Sequence, residues 1–324
     1  MKKKNGAVRF ARVMGGYGMA FVLLILVVFF AIFANRFLKT SNIFNVLRQV
    51  SIVGIIAVGM TFIMLTGGID LSCGSIAGFA GVGAAILMTQ YSMNPVLAAI
   101  LMCILGALLG IVNGVFISKL DVPPFIATLG MMVSIRGLAY IITGGLPVFG
   151  FDQSFTKLGQ GYLGPIPIPV IIMAITFVLG AVFLAKTRAG RHIYGVGGNE
   201  EASRLSGVNV IKIKLLVYFV GGLTSALAGL VMLARTNSGQ PNAGEGYEMD
   251  VITSVVLGGI SMNGGQGRLG MVIIGVLIMG VLSNGMTMLG INEFVQKFIR
   301  GLVLIAAVAL NNFIKTTNTK TISK

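Results

Sequence analysis

The 324-residue chain has no tryptophan, one histidine, two cysteines and only 9 acidic residues against 24 basic ones. Each shortage excludes something. The lone His192 has no nucleophile or second base beside it, so a hydrolytic constellation cannot be assembled. Cys73 and Cys103 both fall inside apolar runs and are expected to be small packing residues, not a disulfide or a metal site. No G-x-x-x-x-G-K-[ST] occurs, so the chain cannot bind ATP through a P-loop. Gly265, Gly267 and Gly270 do form G-x-G-x-x-G. With 46 glycines in the chain, one chance match is expected, and no strand precedes it, so a dinucleotide site is rejected. No enzyme activity, cofactor or metal is expected. Charge is scarce too, at 10% of residues.

What the chain has is apolar length. Mean hydropathy is +0.94 and 56% of residues are hydrophobic, more than a soluble domain of this size can hide. A bilayer core takes about 20 apolar residues per helix. Candidate spans run over 18–34, 43–66, 71–90, 95–117, 124–142, 165–185, 215–234, 250–262, 269–289 and 295–314. The expected fold is an all-α polytopic membrane protein of about ten helices in one domain, with 250–262 short enough to span obliquely or in part. The first apolar run is long, and no small-residue cleavage site follows it, so signal-peptide cleavage is not expected.

The net charge of +15 would suggest nucleic acid in a soluble protein. Here the bases follow topology. With the N-terminus inside, Lys2, Lys3, Lys4, Arg9, Arg12, Lys119, Lys186, Arg188, Arg191, Arg204, Lys212, Lys214, Arg268, Lys315, Lys320 and Lys324 all fall on inside segments. Arg36 and Lys39 are outside. This excess places both termini in the cytoplasm, 1–17 as a basic N-terminal segment and 315–324 as a tail.

Gly106, Gly110 and Gly114 recur every four residues and form one stripe for close helix packing, with Asn113 beside it. Gly275, Gly280, Gly285 and Gly290 recur every five, which rotates around a helix. LTGGIDLSCGSIAG (65–78) and VLGGISMNGGQGRLG (256–270) echo one another as glycine-rich helix entries, in the manner of repeat-built transporters. A charge at mid-bilayer costs about 2.5–3.5 kcal/mol on insertion scales. Asp70 and Asp250 lie near span ends, Arg136 and Arg300 deeper. Glu293, Lys297 and Arg300 share a helix face. These residues fit either ion pairing near the outer surface or, with Asn113, a polar lining for a hydrophilic solute. No carboxylate sits at mid-span, which weighs against an ion-driven carrier.

The polar stretch GGNEEASRLSG at 197–207 stands out between two apolar runs. Asn199 suits an N-cap. Glu200 and Glu201 occupy the first turn, where the helix dipole favours negative charge. Ala202 and Arg204 continue the turn. After Ser206, Gly207 can end it in a left-handed conformation. Gly197 and Gly198 flank it as hinges. The pattern encodes a short, self-contained helix, either a self-capping linker or a part that docks and transmits force.

LTGGIDLSCGSIAG, PPFIATLGMMVSIRGLAYIITGG, TRAGRHIYGVGGNEEASRLSGVNVIKIK and GQPNAGEGYEMDVITSVVLGG resemble the membrane-spanning permease subunits of simple-sugar ABC importers, nearest the ribose type. The resemblance covers about 43–312, and Cys73 stands where valine is expected. It implies a type II-like importer fold, a permease dimer, a cytoplasmic ABC ATPase, an extracytoplasmic sugar-binding protein, and a bacterial inner-membrane location. It also implies that the loop between the sixth and seventh spans, here 187–214, couples to the ATPase. The outer segments 143–164 and 235–249, with Asp152, Lys157, Arg235, Glu245 and Glu248, are the candidate docking rim for the binding protein. Ribose is the expected solute. Galactose, allose, xylose, a furanosyl compound or a branched-chain amino acid are the alternatives, with an ion-coupled carrier behind them.

Overall fold

The computed structural model describes the backbone of residues 2–322 and the side chains of residues 18–309. The side chains of 1–17 and 315–324 lie outside them. The helices are α1 (Lys2–Phe33), α2 (Thr40–Leu65), α3 (Cys73–Thr89), α4 (Pro95–Lys119), α5 (Pro124–Thr143), α6 (Gln153–Gln160), α7 (Ile168–Lys186), α8 (Arg188–Gly198), α9 (Glu200–Leu205), α10 (Val210–Thr236), α11 (Tyr247–Leu257), α12 (Leu269–Met288) and α13 (Glu293–Ile322). Two-residue strands β1 (Tyr162–Leu163) and β2 (Ile166–Pro167) pair antiparallel between α6 and α7. Among the described residues, six helices, α2, α4, α5, α7, α10 and α12, are each long and apolar enough to cross a membrane. The fold is the polytopic all-α bundle that composition requires.

Local chemistry starts and stops the helices. Asn94 caps α4 by accepting from Val96 N–H, with Pro95 at the first helical position. Asn209 caps α10 through Lys212 N–H, and α5 ends at Gly144 in the left-handed region, φ +60°. α11 has 11 residues, a rise of about 16 Å, roughly half a hydrocarbon core. The stretch expected to span at 250–262 is thus a half-length helix followed by a turn.

α2 and α10 form the centre. α2 is buried almost continuously from Val50 to Leu65. The Gly106–Gly110–Gly114 stripe of α4 lies against Gly222, Tyr218 and Leu215 of α10, with no room for a Cβ at Gly106 or Gly110 and a tight fit at Gly114, so the two backbones touch as small-residue packing requires. The five-residue glycine step of α12 has a different use. Gly275 meets Ser254 of α11, Gly280 meets Val50 of α2, and Gly285 meets Phe30 of α1. A step that rotates around the helix lets one helix approach three neighbours closely.

The bundle has two ends. One end carries α8, α9 and the turns at 66–72 and 258–268, joined by Gly265 N–H donating to Leu65 carbonyl oxygen at 2.9 Å. The opposite end carries α6 and the hairpin. There Arg48 of α2 stacks 4.6 Å over the Tyr162 ring and donates to Gln160 carbonyl oxygen at 3.0 Å. From that end the non-helical segment 237–246 enters the bundle. Gly239 bridges to Val148 and packs on Ala85, whereas Ala243 lies against Gly78 and Gly244 against Gly74. Gly74 is fifteen residues below Thr89 on α3, about 22 Å along the helix axis.

Candidate functional site

The polar segment after α7 folds as two helices. Thr187 accepts from Gly190 N–H and starts α8. Asn199 then accepts from Ala202 N–H at 2.8 Å and starts α9. Gly207 ends α9 with φ +81°, in the left-handed conformation expected of it. Two features differ from the sequence reading. The segment before Asn199 is an amphipathic helix with Ile193 and Val196 buried, because its apolar positions recur at three-residue spacing. His192 is exposed, as expected, but on a helix and not in a loop. Gly197 and Gly198 are its last turn, not free hinges.

Glu200 binds Lys214 of α10, Oε2 to Nζ 2.8 Å, with the lysine side chain only 19% exposed. Arg204 reaches Glu200 at 3.5 Å and Glu201 at 3.8 Å, both on the open surface. Such exposed pairs contribute about 0–1 kcal/mol. The Glu200–Lys214 pair therefore fixes α9 to α10, and Glu201 is left facing outward. Leu205 is 81% exposed. A large apolar side chain on the outer face of a short charged helix suits docking. Its signal in the sequence was too weak to separate it from its neighbours.

The pair α8–α9 is also braced from behind. A Cβ on Gly197 would strike Leu65 carbonyl oxygen and Gly265 N, the two atoms of the bond joining 66–72 to 258–268. Gly264 packs on Gly67 and on Gly197. The two echoing glycine-rich turns thus meet each other, and the end of α8 is the third member of the joint. Tyr194 adds a hydrogen bond from its hydroxyl to Gly267 carbonyl oxygen at 3.0 Å. Burial pushes the Tyr194 phenol up from its ordinary value, so it stays a neutral donor. A cavity of ≈ 290 Å³ behind α9 is lined by Thr66, Gly68, Asp121, Glu200, Lys214 and Tyr218, among others.

The intramembrane candidates divide among three places. Asp70 and Asn113 share one buried network through Ser72. Ser72 donates through its N–H and hydroxyl to Asp70 Oδ1, at 2.8 and 2.6 Å, and accepts from Asn113 Nδ2 at 2.9 Å. Asn113 thus ties α4 to the turn that starts α3. Tyr218 donates to Ile69 carbonyl oxygen at 3.1 Å and holds the same turn. Asp-x-Ser was a readable turn signal; the Tyr218 contact was not. Arg300 pairs with Asp250 at 3.0 Å, joining α13 to α11. The expected Glu293–Lys297 pair forms at 3.1 Å without Arg300. Arg136 donates to Pro241 and Ala243 carbonyl oxygens at 2.8 and 2.6 Å.

The five docking candidates separate. Asp152 caps α6, accepting from Ser154 N–H at 2.7 Å, and Lys157 is exposed on the same helix. Arg235, half-buried at the end of α10, presents its carbonyl oxygen to Gln160 Nε2. Glu248 is buried against Gly74, and Glu245 follows Gly244 at the same depth. The chain descends after Gly239, so both lie deeper in the bundle than Asp152 and Lys157, Glu248 buried and Glu245 exposed. The G-x-G-x-x-G run lies in a turn, with Gly265 at φ +70° and Gly267 at φ +125°.

The family described as branched-chain amino acid transport system / permease component matches residues 42–308. A ribose import permease protein of Bacillus subtilis (strain 168) is 46% identical over 313 residues, covering 96% of this chain and 97% of its own length. A ribose import permease protein of Escherichia coli (strain K12) is 44% identical, covering 90% and 91%. An L-arabinose transport system permease protein of the same strain is 39% identical, covering 94% and 92%. No solved structure matches.

Proposed function

Because this chain belongs to the branched-chain amino acid transport system / permease component family, we propose that it is the translocation subunit of an ABC importer that brings ribose into the cytoplasm. The observation that carries the mechanism is the joint of Leu65, Gly197 and Gly265. It connects the exposed α8–α9 unit to the ends of α2, α11 and α12, so a push on α9 reaches three helices. Relatives with 41–46% identity are ribose import permeases, against 39% for the L-arabinose relative, and they support ribose.

The α8–α9 end faces the cytoplasm. Lys119, Lys186, Arg188, Arg191, Arg204, Lys212, Lys214 and Arg268 all lie there, as the positive-inside rule demands. Both termini are then cytoplasmic. A separate ABC ATPase docks on Glu201, Leu205 and Ser206. A second copy of this chain completes the pathway. A secreted sugar-binding protein docks at the opposite end near Asp152 and Lys157.

The test is reconstitution in vesicles. D-Ribose uptake should require this chain, the ATPase, the binding protein and ATP together, and exceed L-arabinose uptake. Uptake by this chain alone under a proton or sodium gradient would establish a secondary carrier instead.

A further inference from the structure

Segment 237–246 has no helix or strand of its own beyond the bridge at Gly239, yet it runs to the level of Gly74, deep in the bundle. Irregular backbone at membrane depth survives only where protein buries it or where it borders water. Here both solutions appear. The inner side is buried: Pro241 and Gly244 are covered, and Arg136 satisfies the carbonyls of Pro241 and Ala243. The outer side is open: Gln240, Asn242 and Glu245 are exposed, and none of their side chains has a hydrogen-bond or ion-pair partner. A carboxylate and two amides with no hydrogen-bond partner, facing hydrocarbon at that depth, would cost several kcal/mol together. The same face continues onto α5, where Tyr140 is exposed one turn from Arg136 and no atom stands over Gly137.

From this juxtaposition we infer that Gln240, Asn242 and Glu245, with Tyr140 of α5, line the aqueous solute path and hydrogen-bond a neutral polyhydroxy solute. This deepens the proposed sugar-import function and rests on it. Amides offer both donors and acceptors, and a carboxylate accepts from two hydroxyls. Open to water, they hold each solute weakly and let it leave. Arg136 is a positioning residue. By occupying the carbonyls on the inner side it holds the three side chains outward.

The experiment uses the assembled transporter in vesicles, with Cys73→Ala and Cys103→Ala as background. Asn242→Cys and Glu245→Cys are each treated with a charged methanethiosulfonate reagent, with Leu179→Cys as a lipid-facing control, 65% exposed on α7. The two path cysteines should react at least tenfold faster than the control. Their modification should stop D-ribose uptake while ATP hydrolysis continues. Slow reaction with the charged reagent but fast reaction with membrane-permeant N-ethylmaleimide would place the face in lipid. Slow reaction with both would place it under the second copy. Either outcome overturns the inference. If Glu245→Cys does not assemble, Asn242→Cys carries the test alone. Failure of the importer reading itself would show separately, as no ATP-dependent ribose uptake before any labelling.

Discussion

Gly197 and Gly198 are neighbours in sequence but stand in opposite surroundings. A methyl group on Gly197 meets Leu65 carbonyl oxygen and Gly265 N, whereas one on Gly198 meets nothing within 4 Å. Gly197→Ala must therefore part the 2.9 Å bond between Leu65 and Gly265. Stranding those groups costs about 1–3 kcal/mol, and overpacking a tight contact costs about 1–3 kcal/mol more. Taking about 3 kcal/mol as the working figure, the joined state loses about a hundredfold in population, at tenfold per 1.4 kcal/mol. Gly198→Ala relieves backbone entropy and is neutral or stabilising by up to about 1 kcal/mol. In reconstituted vesicles Gly197→Ala should still bind the ATPase but import ribose at a few per cent of the parent rate. Gly198→Ala should import normally. Equal behaviour of the two variants, or damage from Gly198→Ala alone, would refute the joint as the transmission point.

Three further outcomes are expected. Glu200→Lys should impair uptake more than Glu201→Lys, because only Glu200 bonds Lys214 across to α10, at 2.8 Å; equal impairment would remove that bridge from the mechanism. Leu205→Asp should leave thermal stability unchanged, since the side chain is 81% exposed, yet weaken ATPase binding at least tenfold in a pull-down titration. Ser154 hydrogen bonds hold the Asp152 carboxyl below its ordinary value, so the cap of α6 is present above the unfolded pKa of about 3.9 and is lost as pH falls through the lower folded value. Hydrogen-exchange protection over residues 153–160, relative to the intrinsic rate at each pH, should therefore fall in acid, and Asp152→Asn, which still accepts but does not titrate, should abolish that fall.

The α9 helix was legible before any coordinates, because every part of its signal lies within a few residues: Asn199 capping Ala202, acids in the first turn, Gly207 after the last. The Gly106–Gly110–Gly114 packing stripe was legible for the same reason, as a period on one helix. The depth of Glu245 and Glu248 was not legible, because their position in the chain, shortly after a span, says nothing about a segment that turns back into the bundle. Asn113 bonds Ser72, which lies 41 residues away, beyond any local pattern. The sequence by itself determined that this chain is a polytopic all-α membrane protein, where its bases lie along the chain and where its short polar helix starts and stops. Only the tertiary structure decided which glycine of a pair is locked, which charges are buried and which side chains border water. The physical reason is that lipid is as apolar as the core. The hydrophobic pattern that separates inside from outside in a soluble helix is missing here, so long-range backbone contacts such as Leu65–Gly265 choose the faces instead.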